Sequence, residues 1–213
     1  MGAHDANARF ALEATVEPEA IARARTHALE LGADPVSAPV GAQCAVIAAA
    51  SGALNIVEIG TGAGVSGLWL MHGAPRAILT TIDKEPEHLA AARQAFADAR
   101  IPPARARFIT GRAADVLPRM NEAAYDVVLV DADADGVIEY VEHGLRLVRP
   151  GGTVLVPRVL AGGAVADPVR RDPVTTAYRS LIQETQGSPA VIGALSIVAE
   201  GLLQLTTVAD TGF

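Results

Sequence analysis

The spacing of apolar residues changes along this chain and predicts alternating helices and strands. Between Glu17 and Gly32 the apolar residues recur at three- and four-residue steps, a period typical of an amphipathic helix. A second, more apolar helix is predicted from about Pro39 to Ser51. Residues 1–14 show no sustained period, so we expect them to be irregular and frayed.

From residue 54 onward, short apolar runs alternate with helical stretches, which is the pattern of repeated βαβ units on a parallel sheet. Helices are predicted at 86–99 and again after Asp172. Two closing runs, 190–199 and 202–208, are separated only by Glu200 and Gly201 and indicate an antiparallel hairpin. The five earlier strands are predicted at 55–59, 77–82, 106–109, 125–130 and 153–156.

The composition is that of one folded domain. Half of the 213 residues are hydrophobic, 19% are charged, and the mean hydropathy is +0.29. These values exclude a disordered chain and supply enough apolar area for a core. Because no repeat or linker interrupts the pattern, we predict a single domain over 1–213, with N-terminal helices over 17–51 and a core over 54–209.

Charge and cysteine content narrow the choice of partners. The net charge is −7 with no cluster of basic residues, which argues against a nucleic-acid-binding surface and favours a small-molecule substrate. Cys44 is the only cysteine and lies among apolar residues, so we expect a buried thiol in a reducing compartment. No apolar run approaches the roughly 18 residues of a membrane span, and we expect a cytoplasmic protein without membrane partners.

A glycine-rich segment from Glu58 to Gly67 follows the first predicted strand and precedes a helix. Glycines at such a turn let backbone N–H groups approach a ligand closely. Gly62, Gly64 and Gly67 fit the G-x-G-x-x-G motif of dinucleotide-binding loops. Glu58, Gly60, Gly62 and Gly64 fit instead the E-x-G-x-G-x-G loop of S-adenosylmethionine methyltransferases.

Two further features favour the methyltransferase alternative, and a third, Asp83, indicates a nucleoside cofactor without choosing between the two. Gly60 comes directly after the strand, and Glu58 inside that strand suits a sulfonium cofactor better than a pyrophosphate. Asp83 ends the next strand, where an acid can hold ribose hydroxyls of either cofactor class. The segment 145–152, a leucine-rich helix end followed by Pro-Gly-Gly, is similar to the corresponding connection in class I methyltransferases.

On these motifs, together with Gly111 to Asp115 and Tyr125 to Asp133, the chain from about Ser37 to Val208 resembles the cation-dependent O-methyltransferases of the catechol and caffeoyl-coenzyme A type, particularly small bacterial members. The resemblance implies a Rossmann-like α/β fold: a seven-stranded, mostly parallel sheet with the last strand antiparallel and helices on both faces. It also implies S-adenosyl-L-methionine as cofactor, and a homodimer.

The resemblance also assigns roles to individual positions. It places the backbone at Val40, Gly60 and Thr61, together with the Ser66 hydroxyl, around the methionyl part of the cofactor. It places Asp83 at the ribose and the Ala114 backbone at the adenine. Asp131 lies near the methionyl amine in this assignment. Ser66 and Asp83 also have plain structural alternatives: Ser66 as an ordinary first-turn helix residue, and Asp83 as a helix-capping or turn acid. The full predicted cofactor set is Val40, Glu58, Gly60, Thr61, Gly62, Ser66, Asp83, Ala114 and Asp131.

The chain departs from the family where the family binds its metal. The first metal ligand of the family is present as Asp131, but Pro157 and Arg158 stand where an Asp-Asn pair is expected. The family's candidate base, a lysine, is replaced by Ala134, and the single lysine of the chain is Lys84. Because proline offers no side-chain ligand and arginine is a permanent cation, we predict no tightly bound metal.

Three residues are candidates to replace that chemistry: Asp131, Asp133 and Arg158. Arg158 either binds an anionic acceptor oxygen or pairs with Asp131 or Asp133 in place of the metal. Asp133 is the nearest general base, or else it caps the next helix.

The sequence therefore predicts an S-adenosylmethionine-dependent O-methyltransferase that acts on a small aromatic hydroxyl or carboxylate acceptor without a metal. Two alternatives remain open from the residues alone. One is a cofactor-binding protein that has lost catalysis. The other, a nicotinamide-dependent oxidoreductase, is disfavoured because no Ser/Tyr/Lys proton relay is found.

Overall fold

A computed structural model describes residues 3–208, so residue 209, the predicted end of the core, lies outside the described residues. Strands and helices alternate through most of this range. Three short 3-10 turns connect them, at Pro103–Arg105, Leu117–Arg119 and Ala134–Gly136, and a longer 3-10 segment covers Ala161–Ala166. In chain order the elements are α1 Ala3–Ala14, α2 Glu19–Glu30, α3 Ala38–Ala50, β1 Asn55–Ile59, α4 Val65–Gly73, β2 Ile78–Asp83, α5 Pro86–Asp98, β3 Ala106–Thr110, α6 Ala113–Val116, β4 Tyr125–Val130, α7 Val137–Leu147, β5 Val148–Pro157, α8 Pro173–Gln186, β6 Val191–Ser196 and β7 Leu202–Thr207.

The strands form one seven-stranded sheet in the order β3-β2-β1-β4-β5-β7-β6. Strands β1 to β5 are parallel, whereas β7 runs antiparallel to both β5 and β6. The predicted Rossmann-like α/β architecture, including the antiparallel last strand, is confirmed. Strand order reverses direction between β1 and β4, and this switch point is where open α/β sheets bind ligands.

Alternate residues of each central strand face opposite sides of the sheet, and each side carries its own apolar core. Ile56 and Leu129 pack with α2 to α5 on one face. Val57 and Val128 pack with α6 to α8 on the other. Cys44 is buried in the first of these cores, as its apolar neighbours predict.

Two local predictions are wrong. Residues 3–14 form helix α1 where an irregular segment was expected, and five of its twelve residues are alanine, the residue with the highest intrinsic helix propensity. Strand β5 starts at Val148 and not at Thr153, because the chain pairs Val148 with Tyr125 before a shift in register. The Pro-Gly-Gly segment is therefore part of an irregular strand.

Candidate active site

A cavity of about 560 Å³ opens at the carboxyl ends of β1, β2, β4 and β5, over the switch point of the sheet. We call it the glycine-loop cavity. Its volume lies in the range that holds small ligands and cofactors. The wall includes Gly60 to Ala63 after β1, Asp83 to Glu85 after β2, Gly111 to Ala113 after β3, Asp131 to Asp133 after β4, and Arg158 after β5.

The turn after β1 brings backbone, not side chains, to the cavity. Gly60 has φ +90°, and a Cβ built on it would lie 2.0 Å from the carbonyl oxygen of Asp131, so only glycine fits there. A Cβ on Gly62 would meet nothing within 4 Å, although its φ of +49° also favours glycine. The loop therefore lies directly against the end of β4 and exposes its backbone at Gly62.

Asp83, at the end of β2, connects this strand to the glycine loop through a hydrogen bond. One carboxylate oxygen accepts a hydrogen bond from the Gly62 N–H at 2.9 Å, and the other accepts from the Glu85 N–H at 2.9 Å. His88 Nδ1 lies 3.6 Å from the second oxygen. Asp83 thus acts as a turn acid before α5, whose N-cap is Glu85, and also lies on the cavity wall.

Glu58 lies beneath the glycine loop and is fully buried. Its two carboxyl oxygens contact the hydroxyls of Ser66, at 2.7 Å, and Thr81, at 2.6 Å. Burial raises the pKa of Glu58 to about 8, although the hydrogen bonds from these hydroxyls oppose the rise. Gly67 packs on the same carboxyl group: a Cβ there would lie 3.0 Å from Oε2.

Arg158 pairs with Asp131 across the ends of β5 and β4. Its Nη2 and Nε lie 2.5 and 3.0 Å from Oδ1 of Asp131, and its Nη1 lies 3.0 Å from a carboxylate oxygen of Asp34. Burial raises the pKa of Asp131, and the guanidinium of Arg158 counteracts part of that rise. Of the two alternatives left open for Arg158, the structure contains the pairing with Asp131.

The residues at the ends of β4 and β5, where the family binds its metal, do not fit a divalent cation. Pro157 ends β5 without a ligand atom, and the Arg158 guanidinium contacts the carboxylate that would be the first ligand. Across residues 3–208, no group of three or more His, Cys, Asp or Glu side chains is arranged to hold a metal. A cation at Asp131 would have to displace a permanent positive charge.

Comparison with known proteins identifies the family. A family model described as "Methyltransferase domain" matches residues 57–156. A Mycobacteroides abscessus protein named "Putative O-methyltransferase" is 43% identical over 191 residues, which cover 89% of each chain. The chain belongs to the class I S-adenosylmethionine-dependent O-methyltransferases.

Solved structures agree with this assignment. A protein from Corynebacterium glutamicum superposes with a TM-score of 0.90 at 27% identity, over 100% of both chains. The O-methyltransferase TomG from Streptomyces achromogenes, solved in complex with S-adenosylmethionine, superposes with a TM-score of 0.82 at 30% identity over 96% of both chains. Of the two motif interpretations of the glycine loop, the methyltransferase one is therefore confirmed.

The fold of this methyltransferase brings most of the predicted site residues together. Those on the cavity wall are Gly60, Thr61, Gly62, Ser66, Asp83, Asp131, Asp133 and Arg158. Three predicted residues are not on it. Val40 is buried in the first turn of α3, Glu58 lies below the loop, and Ala114 follows the wall residue Ala113 in α6.

Asp133, the candidate base, is already engaged in an ion pair. Its Oδ2 lies 2.5 Å from Nζ of Lys84, and its side chain is 66% exposed. Its position before the 3-10 turn at Ala134–Gly136 matches the capping alternative, although its side chain makes no capping hydrogen bond. The pair connects the ends of β4 and β2 at the cavity wall.

Several wall residues of the methyltransferase were not predicted from the sequence, namely Asp34, Pro35, Lys84, Glu85, His88, Arg112 and Tyr140. Asp34 follows α2, far from the glycine loop in sequence, and only its contact with Arg158 reveals it. His88 was detectable in principle, since it lies in the first turn of the helix that follows Asp83.

A second cavity of about 580 Å³ adjoins the first and shares Asp34, Pro35 and Arg158 with it. Apolar side chains of α1 and α2, Leu12 and Leu29, form part of its wall. The wall also contains the charged residues Glu17, Arg25 and Glu200. Arg158 therefore stands between two spaces, each large enough for a small molecule.

Proposed function

We propose that the glycine-loop cavity binds S-adenosylmethionine and that the methyltransferase transfers its methyl group to a hydroxyl of a small acceptor. The observation that carries this proposal is the cavity itself, with a glycine turn at its base, Asp83 at one side and Asp131 at the other. Asp83 suits the ribose hydroxyls, and the backbone at Ala114 suits the adenine. The backbone at Val40, Gly60 and Thr61 and the Ser66 hydroxyl are assigned to the amino-acid end.

When bound, S-adenosylmethionine supplies an electrophilic methyl group on a sulfonium sulfur. The chain's own task is to hold the acceptor oxygen in line with that group, which can account for much of the rate enhancement. Asp131 lines the glycine-loop cavity and is paired with Arg158, which lines both cavities. We assign Asp131 and Arg158 to positioning the acceptor and to excluding water.

The second cavity is the proposed acceptor site. Its charged residues are three carboxylates, Glu17, Asp34 and Glu200, and two arginines. Arg25 is paired with Glu17 at 2.7 Å, and Arg158 is paired with Asp131 and Asp34. Because both cations are already neutralised, a carboxylate acceptor would enter an excess of negative charge. We therefore favour a neutral or cationic aromatic alcohol over an acid.

The proposed reaction uses no metal. The basis is the donor set, since Arg158 occupies the carboxylate at which a metal site would begin. With Asp133 paired to Lys84, the base for the acceptor proton is either Asp131 or solvent; Asp133 serves only when Lys84 releases it.

We also propose that this methyltransferase forms a homodimer. Val46 on α3 and Ile197 beyond β6 are 66% and 63% exposed. Their segments are adjacent, because the Ser196 hydroxyl donates to the Gln43 side chain at 3.3 Å. We infer that a second copy of the chain covers these exposed apolar side chains, as the family resemblance implies. Val46→Glu with Ile197→Glu should convert a dimer to a monomer in light scattering, and an unchanged mass would contradict this interface.

The test of the proposed function combines binding and turnover. S-adenosylhomocysteine should bind in calorimetry while NAD does not, and a binding-deficient Asp83→Ala variant serves as control. Methyl transfer is then compared across matched aromatic alcohols that carry an amine, no charge or a carboxylate. We expect the carboxylate-bearing acceptors to be the poorest. Binding of NAD in preference to S-adenosylhomocysteine would refute the cofactor assignment.

None of the helices within residues 3–208 is long and apolar enough to cross a membrane.

A further inference from the structure

Glu58 is connected to the glycine-loop cavity through hydroxyl groups. Thr61 Oγ1 lies 2.5 Å from Thr81 Oγ1, Thr81 Oγ1 lies 2.6 Å from Glu58 Oε2, and Glu58 Oε1 lies 2.7 Å from Ser66 Oγ. We call these four residues the hydroxyl chain. Its middle members, Thr81 and Glu58, have no exposed surface, whereas its ends, Thr61 and Ser66, lie on the cavity wall.

The protonation state of Glu58 decides whether the ends of the hydroxyl chain can donate a hydrogen bond to a ligand. Three contacts join the four groups, and each contact needs one proton. With Glu58 ionised, the three hydroxyls supply those three protons, so both ends present only lone pairs to the cavity. With Glu58 neutral there are four protons for three contacts, and one end must direct its proton outward as a donor.

We propose that Glu58 is a positioning residue whose single proton makes the Ser66 hydroxyl a hydrogen-bond donor toward the carboxylate of the cofactor's amino-acid end. No proton is transferred, and only the direction of the hydrogen bonds is set: Glu58 Oε1–H donates to Ser66 Oγ, and Ser66 Oγ–H donates to the ligand. Thr81 then donates to Glu58 Oε2, and Thr61 donates to Thr81. This inference rests on the proposed function.

Burial favours the neutral, protonated form of Glu58, which this hydrogen-bond arrangement requires. Its pKa of about 8 leaves the carboxyl mostly neutral at neutral pH. The charged or titratable groups that face it from other elements are Asp83 at the end of β2, Asp131 after β4 and Cys44 in α3. Asp83 and Asp131 oppose a negative charge on Glu58, and burial raises the pKa of the Cys44 thiol, which therefore stays neutral.

Ser66 is the end that we assign to the ligand. Its side chain is 6% exposed against 2% for Thr61, and it lies in the first turn of α4, where free backbone N–H groups also favour an anion. A carboxylate held there would draw the spare proton to the Ser66 end of the chain.

The test is the pH dependence of S-adenosylhomocysteine binding, compared between the wild type and Glu58→Gln. Glutamine has the shape of the neutral acid, donating from nitrogen and accepting at oxygen, but it does not titrate. Between about pH 7 and pH 9.5 the wild-type affinity should fall about tenfold relative to the variant, the scale of one hydrogen bond to a charged group. Titration of the ligand and of other wall residues affects both proteins alike and cancels in the ratio.

Two controls separate this inference from the proposed function. 5′-Methylthioadenosine lacks the amino-acid end, so the ratio of its affinities for the two proteins should not change with pH. In the Ser66→Ala background, Glu58→Gln should have no pH-dependent effect on S-adenosylhomocysteine. A constant ratio in the wild-type background, or a pH-dependent ratio that persists with Ser66→Ala, would overturn the role of Glu58. If the wild type binds neither ligand at any pH, the proposed function itself is wrong.

Discussion

The guanidinium of Arg158 contacts Oδ1 of Asp131 through two nitrogens, Nη2 at 2.5 Å and Nε at 3.0 Å, and joins the ends of β5 and β4. The Arg158 backbone has φ +61°, in the left-handed region that arginine rarely adopts. Its N–H donates to the carbonyl of Gly201 at 2.9 Å, which helps to hold this conformation. The side chain is thus fixed between the two cavities.

Replacing Arg158 with alanine leaves Asp131 buried without its cation. We expect Arg158→Ala to lower the free energy of unfolding by about 2 kcal/mol or more, since one partner of a largely buried ion pair is lost. Methyl transfer should fall, while affinity for S-adenosylhomocysteine stays within a few-fold.

Arg149→Ala is the matched control for that variant. Asp126, the partner of Arg149, keeps hydrogen bonds from two backbone N–H groups, of Leu54 and Asn55. We expect a smaller loss of about 1 kcal/mol in chemical denaturation and no effect on turnover. Equal effects of the two variants on turnover would argue against a local role for Arg158.

Asp83→Ala should weaken S-adenosylhomocysteine binding by about 1 to 3 kcal/mol, the scale of losing hydrogen bonds from a charged group to a ligand. The variant also removes the acceptor of the Gly62 N–H, so the glycine loop loses a support. Asp83→Asn keeps one acceptor oxygen, so its affinity for S-adenosylhomocysteine should lie between those of the wild type and Asp83→Ala. Calorimetry that gives the wild-type affinity for Asp83→Ala would contradict the ribose assignment.

Stability should depend on pH through Glu58. Its pKa is about 8 in the folded protein against 4.5 as the ordinary value, so between these values the folded state holds a proton that the unfolded state has released. Through Glu58, the free energy of unfolding of the wild type therefore falls by about 1.4 kcal/mol per pH unit as pH rises across this window. Above the window Glu58 contributes no further pH dependence. Glu58→Gln removes this slope.

The measurement is urea denaturation of the wild type and Glu58→Gln at several pH values from about 5 to 9. The stability of the variant relative to the wild type should increase with pH and then level off. Parallel curves for the two proteins would show that Glu58 is ionised in the folded state throughout.

Lys84, the only lysine, allows a chemical test of the cavity wall. Its ion pair with Asp133 raises its pKa, so Asp133→Asn should lower that pKa and speed acetylation of Nζ. Bound S-adenosylhomocysteine should slow the acetylation, with the α-amino group as the internal reference in mass spectrometry. Protection absent at saturating ligand would contradict the placement of Lys84 beside the cofactor.

Much of the fold was predictable because its central strands are short and mostly apolar. Asn55–Ile59 and Tyr125–Val130 match the prediction residue for residue, since both are largely buried inside a parallel sheet and end before Gly60 and Asp131. The helix at α1 was missed because its apolar side chains follow no clear face: Phe10 and Leu12 are 71% and 50% exposed.

The site was predictable where its residues follow strand ends, and this includes the pairing of Arg158 with Asp131 as one of two alternatives. The glycine loop and Asp83 follow directly from strand ends, so their place on the wall was expected. The contact of Arg158 with Asp34 was not, because 124 residues separate the partners and no pattern in the sequence links them. Likewise, the position of Glu58 below the loop depends on hydroxyls from β2 and α4, which only the folded chain brings together.

We expect this methyltransferase to work with Arg158 paired to Asp131 and without a metal. The direct measurement is transfer of a labelled methyl group to the panel of aromatic alcohols after exhaustive treatment with EDTA, with and without added Mg²⁺. We predict transfer in EDTA at a rate that Mg²⁺ leaves unchanged. Transfer that disappears in EDTA and returns with Mg²⁺ would contradict the account.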